Sequence, residues 1–581
     1  MPLSRRTKIA LFALALLCAL LPLPVPFSAA DDPPPTAKER PKLVVLVVFD
    51  QFRGDYLERF RPLFGEGGFK RLMTEGTWFT NAHYPYSYTL TACGHTSLST
   101  GANPARHGIV ANDWYDRTDG DVTSVSPPPA LIRKGEGPYR RHAQTIGDAL
   151  LEFLTGRSRV FSLSIKDRAA ILMAALRAQC VYWFDYTTGE FVTSPYYREE
   201  PHKWVTEFNG KKPADVYLGK TWNKVRTDID YAKYSSPDDF YGEGIGYGQG
   251  QTFPHPFPLG KGTATNPMVN YWSAVENSPM GNDLLLAFAE TMIRQEKIGQ
   301  TDNVDYLSMS FSSNDLVGHC WGPDSQEVMD ITLRSDLVMK KLLDLLDTTV
   351  GKGKYVIAMS ADHGVCPLPE MTAKKGIEAE RVPPELLTTL AEDFLNKTFL
   401  PAGAEKEPWL LVPRKSNAWV YLSRPTLAAL KLDKPKVERA LAGWFATQPG
   451  IATAYAAADL MAGTPPEKST ETYRKFFENA RRSYTPQGVG DVMVILKPYN
   501  LFSPPLLSKN PEKIAAYRTT HGTPNEYDTH VPLLVMGAGV RAQVDPQPIA
   551  PQSIAAILTG LLRVPAPRQA EYAVPAGFFR D

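Results

Sequence analysis

Leu43–Phe49 (LVVLVVF) is an unbroken apolar run with four valines, and it stops at Asp50. A run without polar alternation suits a strand buried on both faces, the condition of a central strand in a parallel sheet. Similar runs recur at Val160–Ile165, Val304–Phe311, Lys354–Ser360, Val492–Leu496 and Leu533–Met536. Helical patterns lie between them. One is expected to start at Asp324, with Glu327 at capping-box spacing, and it carries Val328, Ile331, Val338, Leu342 and Leu345 on one face. Strand and helix in alternation predict an α/β/α sandwich with a mostly parallel central sheet.

Two stretches break the rhythm. Residues 186–275 are rich in Tyr, Trp, Gly and Pro; residues 370–485 hold helix patterns at Pro384–Asn396 and Lys436–Thr447 and strand-like runs at Ala418–Leu422 and Ile451–Ala456. Both read as insertions into one catalytic domain spanning 43–581, with an independent domain as the alternative for the second. Upstream, Arg5, Arg6 and Lys8 precede thirteen apolar residues, Ile9–Leu21, and Ser28-Ala29-Ala30 supplies small residues for cleavage. That is a signal-peptide pattern over residues 1–30, followed by a Pro- and charge-rich linker over 31–42. The run is short of the roughly 20 residues a membrane span needs. Periplasmic or secreted location without stable membrane insertion follows, and Arg5-Arg6 leaves Sec and twin-arginine export both open. Cleavage after Ala30 would turn a net charge of +1 into −2, which excludes a strongly basic nucleic-acid binder. Cys93, Cys180, Cys320 and Cys366 would then stand in an oxidising compartment, with no CxxC spacing and no deducible pairing.

In open α/β sheets ligands bind beyond the carboxyl ends of the strands. Asp50 follows the first run, Asp315 and His319 follow the run at 304–311, and Asp362-His363-Gly364 follows that at 354–360. His521-Gly522 precedes the last run. Any one of these could be a turn residue; their repetition at strand ends points to nitrogen and oxygen ligands for two Zn²⁺ ions. His83, His107, His142, His202 and His255 are left as loop or surface residues. The segment Tyr88–Gly101 reads as a loop entering a short helix that ends at Gly101, and a helix N-terminus can bind phosphate. Thr91 is the candidate nucleophile there, the plain alternative being an N-cap. Lys166 and Arg168, two apart after a strand, would face one way if the chain stays extended, offering a point charge and a planar donor to phosphate. Asn112 is a neutral donor.

In this order the residues resemble the alkaline phosphatase superfamily and, within it, the PafA-like phosphate monoesterases with a threonine nucleophile. The resemblance runs from about Lys42 to the C-terminus. It implies that Asp50, Thr91, Asp362 and His363 hold one zinc, and that Asp315, His319 and His521 hold the other, with His530 competing for the last place. It also implies that Asn112, Lys166 and Arg168 bind the transferred phosphoryl group. Cys93 departs from the proline usual in the subgroup, which would alter the loop or allow a disulfide. The activity implied is hydrolysis of small-molecule phosphate monoesters by a monomer through a phosphothreonine. The alternatives are a phosphodiesterase or nucleotide pyrophosphatase on the same core and, from another class, a catalytically silent phosphate- or zinc-binding protein. A sulfatase is disfavoured because Cys93-Gly94-His95-Thr96-Ser97 lacks the Pro and Arg of a formylglycine motif.

Overall fold

The valine-rich runs do assemble side by side. A computed structural model describes residues 40–259, 266, 268–412, 419–486, 489–503 and 517–580; the expected signal peptide and most of the linker lie outside them. Nine strands form the main sheet: β1 (Leu43–Phe49), β2 (Thr77–Phe79), β3 (Ser158–Ser164), β4 (Cys180–Asp185), β5 (Glu190–Val192), β6 (Val304–Phe311), β7 (Tyr355–Ser360), β8 (Leu533–Gly537) and β9 (Gln543–Asp545). Their spatial order is β9-β2-β8-β7-β1-β6-β3-β4-β5. The central run β7-β1-β6-β3-β4 is parallel, whereas β8 lies antiparallel to β7 and β2, and β5 antiparallel to β4. β1 is fully buried along its length, as a strand covered on both faces must be. Its register aligns Phe49 with Phe311 on one side and Val48 with Ser360 on the other, so the three strands end at one level.

The helices that matter to the site are α1 (Thr91–Thr100), α2 (Asp167–Met173), α3 (Met268–Glu276), α4 (Ser313–Trp321) and α5 (Gln326–Leu346). α5 starts after Ser325, whose side chain accepts from the Val328 N–H, so the cap lies one residue beyond the expected Asp324. α1 ends at Gly101 with φ 71°, a left-handed C-cap that glycine adopts without steric cost.

Val492–Leu496 is not a strand of the central sheet. It pairs antiparallel with Trp419–Leu422 and Ile451–Ala456, with Leu410–Leu411 at the edge, in a separate four-stranded sheet. Apolar content alone cannot assign a buried strand to one sheet or another, which is why the run misled. The second irregular stretch therefore continues past residue 485. Its sheet has two dry faces. Val492, Val494 and Leu496 pack with helices Pro384–Phe399 and Lys434–Phe445, while Met493 and Ile495 join Trp419, Tyr421 and Tyr455 in the core of the main sheet. The period of two that separates these sets welds the unit to the body of the molecule.

The stretch 186–275 is held by α5. Buried Asp330 accepts from Trp222 Nε1 (2.7 Å), the Val225 amide (2.6 Å) and the Tyr231 hydroxyl (2.6 Å), and pairs with Arg334 (2.7 Å). His255 and His107 are fully buried, contrary to the surface reading. His255 Nε2 lies 3.0 Å from Glu327, and His107 joins Ser97 to the Ile109 amide. Cys93, Cys180, Cys320 and Cys366 are all buried free thiols, so Cys93 makes no disulfide. Among the described residues no helix is long and apolar enough to cross a membrane.

Candidate active site

Three carboxylates converge at the level where the central strands end. Asp50 is the residue after β1. Asp362 and His363 follow β7 after Ala361. Asp315 lies in the first turn of α4, three residues beyond Ser312, with His319 one turn later on the same face. All are buried, as are Thr91 and His521. His319 Nε2 and His521 Nε2 lie 3.1 and 3.6 Å from Asp315 Oδ1. His363 Nε2 lies 3.1 Å from Asp362 Oδ2 and 3.5 Å from Asp50 Oδ1. The rings of His363 and His521 stack 3.4 Å apart, so the two groups adjoin. His530 stands elsewhere, stacked on His83 and facing the Thr80 carbonyl.

The hydrogen bonds decide what can sit among these atoms. His319, His363 and His521 each turn Nδ1 to a backbone carbonyl, of Thr519 (2.7 Å), Gly364 (2.9 Å) and Thr89 (2.7 Å). Each Nδ1–H therefore donates to main chain, and each neutral ring presents the Nε2 lone pair to a carboxylate oxygen. Acceptor faces acceptor, and only a proton or a metal cation reconciles them. Carbonyl partners at Nδ1 are also what fixes imidazoles for metal ligation. The titration of the groups tells the same story. Burial, and next the Asp362 carboxylate, push Asp50 up to about 7 despite Lys166. Burial works against the His363 imidazolium, yet Asp362 and Asp50 push it up to about 9. A buried cluster this short of positive charge fits divalent cations, and its mix of imidazole, carboxylate and hydroxyl donors suits zinc.

Thr91 is the first residue of α1 and its side chain makes no cap; Leu90 occupies the N-cap position. Thr91 Oγ1 instead lies 3.4 Å from His363 Nε2. The helix supports it: Asn112 Oδ1 accepts from the Ala92 amide (2.8 Å), leaving the Asn112 NH₂ group for another acceptor. Lys166 and Arg168 reach the site by a different route from the one expected. β3 ends at Ser164, Lys166 is the N-cap of α2, and Arg168 is already helical, so the pair straddles a strand–helix junction. Lys166 Nζ lies 2.8 Å from Asp50 Oδ2 and 2.5 Å from Asp315 Oδ2, bridging the two halves. Arg168 leaves a buried Nε without an acceptor.

Several residues of the site are invisible to strand-end reasoning. Gln51 has φ 64°, a left-handed conformation that costs a non-glycine residue roughly 1–3 kcal/mol. There its amide donates to Asp362 (3.1 Å) and its Nε2 to Asp315 (2.6 Å). His95 presents Nδ1 to the Thr91 carbonyl (2.8 Å) and to Asp362 (3.1 Å), and Nε2 to Ser310 (2.8 Å). His95 lies four residues after Thr91 in the same helix, and that offset is the signal by which the sequence could have marked it. Cys180, His202 and Glu296 form another group of donors, but Arg198 donates to His202 Nε2 (2.8 Å) and takes the lone pair a metal would need.

The family of the chain follows from comparison with known proteins. The family model described as type I phosphodiesterase / nucleotide pyrophosphatase matches residues 44–497. The chain is 33% identical over 542 residues to alkaline phosphatase PhoV of Synechococcus elongatus, covering 92% of each protein. It is 33% identical over 550 residues to alkaline phosphatase PafA of Elizabethkingia meningoseptica, covering 91% of this chain and 93% of that one. The crystal structure of wild-type PafA superimposes with a TM-score of 0.80, covering 93% of this chain and 99% of that one at 32% identity. The chain belongs to the type I phosphodiesterase / nucleotide pyrophosphatase family and, within it, to the PafA-like alkaline phosphatases.

Proposed function

We propose that this chain is an exported hydrolase of small-molecule phosphate monoesters, acting as a monomer through a phosphothreonine at Thr91. Two zinc ions, one held by Asp50, Thr91, Asp362 and His363 and the other by Asp315, His319 and His521, would supply Lewis-acid stabilisation of the oxygens that gain charge. Thr91 Oγ1 gives its proton to solvent and attacks phosphorus, the bond to the ester oxygen breaks, and the alcohol departs with a proton from water. Water then attacks the same phosphorus, the bond to Thr91 breaks, Thr91 Oγ1 takes back a proton from solvent, and phosphate leaves. Lys166, Arg168 and Asn112 bind the non-bridging oxygens through both steps, so most of the catalysis is positioning and charge compensation. His95 and Gln51 hold the carboxylates in place through the contacts described above.

The observation that carries this reading is the set of Nε2 lone pairs facing carboxylate oxygens beside the hydroxyl of Thr91. Lys166 and Arg168 favour a monoester, whose dianion gains more from two cations than a diester monoanion does. Thr91→Ala should abolish turnover while the protein keeps its zinc and binds phosphate; wild-type rates in that variant would refute the nucleophile. The ratio of kcat/KM for 4-nitrophenyl phosphate to that for its methyl diester should favour the monoester. A ratio favouring the diester would move the assignment to the phosphodiesterase reading that the family description allows. Activity lost to EDTA and regained with zinc separates the enzyme from a silent binding protein.

A further inference from the structure

A cavity of about 860 Å³ opens beside Lys166 and Arg168, within the range of sites that enclose a whole small ligand. Beyond the α2 junction and Leu316 of α4, its walls belong to elements the catalytic reading does not use. β4 contributes Trp183 and Asp185, and Tyr186 follows; the 186–275 stretch contributes Tyr247; α3 contributes Ser273 and Glu276 on one face. Tyr517 closes the side nearest the ligands, its ring 4.2 Å from that of His319. Leu316, next to Asp315, also lines it. The cavity thus adjoins the Asp315/His319 half of the site, away from Thr91. In an in-line displacement the alcohol leaves opposite the nucleophile, so the departing group faces this cavity.

The lining is selective in two ways. Aromatic walls come from three separate segments, and Tyr186 and Tyr517 are 45% and 53% exposed, flat apolar surfaces left open to be covered by a ring. Beyond Lys166 and Arg168, the lining holds three carboxyl groups, Asp167, Asp185 and Glu276, and burial pushes Glu276 up to about 8, so that it is charged only in alkaline solution. We propose that this cavity is the leaving-group subsite, that it prefers an alcohol carrying an uncharged ring, and that it discriminates against one carrying a second anion. The proposal rests on the monoesterase reading above.

Three substrates of like leaving-group chemistry test it: ethyl phosphate, 2-phenylethyl phosphate, and the latter with a carboxylate on the far end of the ring. For the wild-type holoenzyme, kcat/KM should rise about tenfold from the first to the second. It should fall about tenfold from the second to the third at low salt and recover as salt screens the carboxylates. Tyr186→Ala and Tyr247→Ala should each lose most of the ring preference while ethyl phosphate turnover stays within about twofold. Glu276→Gln, assayed at about pH 9, above the Glu276 pKa of about 8, should shrink the penalty on the added carboxylate. Equal kcat/KM for all three substrates, or a ring preference untouched by both tyrosine variants, overturns the subsite and leaves the monoesterase standing. No turnover of any of the three overturns both.

Discussion

Gly94 is the point at which α1 is seated against the Asp362 loop, and adding one methyl group there measures how tightly the proposed nucleophile, Thr91, is held. A Cβ at Gly94 would lie 2.1 Å from the Asp362 carbonyl oxygen and 2.6 Å from both the Asp362 carbonyl carbon and Cα. All three atoms are backbone, so no side-chain rotation relieves the clash. Restoring van der Waals contact requires α1 and the Asp362 loop to separate by about 1 Å, and a misplacement of that size costs on the order of 100-fold in rate. Overpacking should also cost about 1–3 kcal/mol of stability. The expected result for Gly94→Ala is a cooperative melt a few degrees below wild type, with kcat/KM for 4-nitrophenyl phosphate down about 100-fold. Gly443→Ala is the control. It lies exposed on the helix Lys434–Phe445 with open space around its Cβ position, and should leave activity unchanged and gain about 1 kcal/mol from helix propensity. A Gly94→Ala enzyme with kcat/KM within about threefold of wild type and an unchanged melt would refute the argument that Thr91 is positioned by this contact.

Other perturbations follow from the same structure. Lys166→Met removes the cation bridging Asp50 and Asp315, and kcat/KM for the monoester should fall by about 100- to 1000-fold and for the diester by less, narrowing their ratio. In chelated protein, burial holds Asp50 and Asp528 each near 7. The folded state then binds more protons than the unfolded chain between about 4 and 7, so these groups' contribution to stability should decline as pH rises through that window. Zinc should suppress the Asp50 share of that decline; a melting temperature of the chelated protein that rises monotonically from pH 4 to 7 (about the span between the two pKa values) would contradict it. Asp330→Ala strands the buried donors of Trp222, Val225 and Tyr231 at once, and should cost more than about 3 kcal/mol, read as a lowered urea midpoint and earlier proteolysis within 186–275.

The buried cluster of carboxylates and imidazoles was legible because candidate metal ligands come from few residue types and the fold gathers them near strand ends. Asp50, Asp315 and Asp362 could be picked out as carboxylates after apolar runs, and His521 could be preferred to His530 by its place before β8. The residues that orient these ligands were not legible. Gln51 acts through a left-handed backbone that no composition rule would assign to glutamine, and His95 acts through a helix turn folded over Asp362. Lys166 and Arg168 were identified for their charge, but their geometry was misjudged, since the turn of α2 begins between them and a spacing of two has no meaning across that boundary. Strand membership failed where burial is equal on both sides. Val492–Leu496 looks like any other central strand until its partners are known, and the antiparallel course of β8 leaves no mark on its sequence.

The level ending of β7, β1 and β6 has a consequence for how such a protein can diversify. Asp50 follows β1 directly, Asp362 follows β7 after one residue and Asp315 stands in the first turn of the helix after β6, while hydrogen bonding holds the neighbouring strands about 4.8 Å apart whatever their side chains. The strand ends are therefore a ruler made of main chain, from which short connections carry the carboxylates, and exchanging side chains does not regraduate it. What substitution can reach is the furniture around the ruler: the α2 junction, the loop after β4 and the face of α3. Descendants of this architecture are free to change what surrounds the site, while the spacing of the strand ends stays inherited.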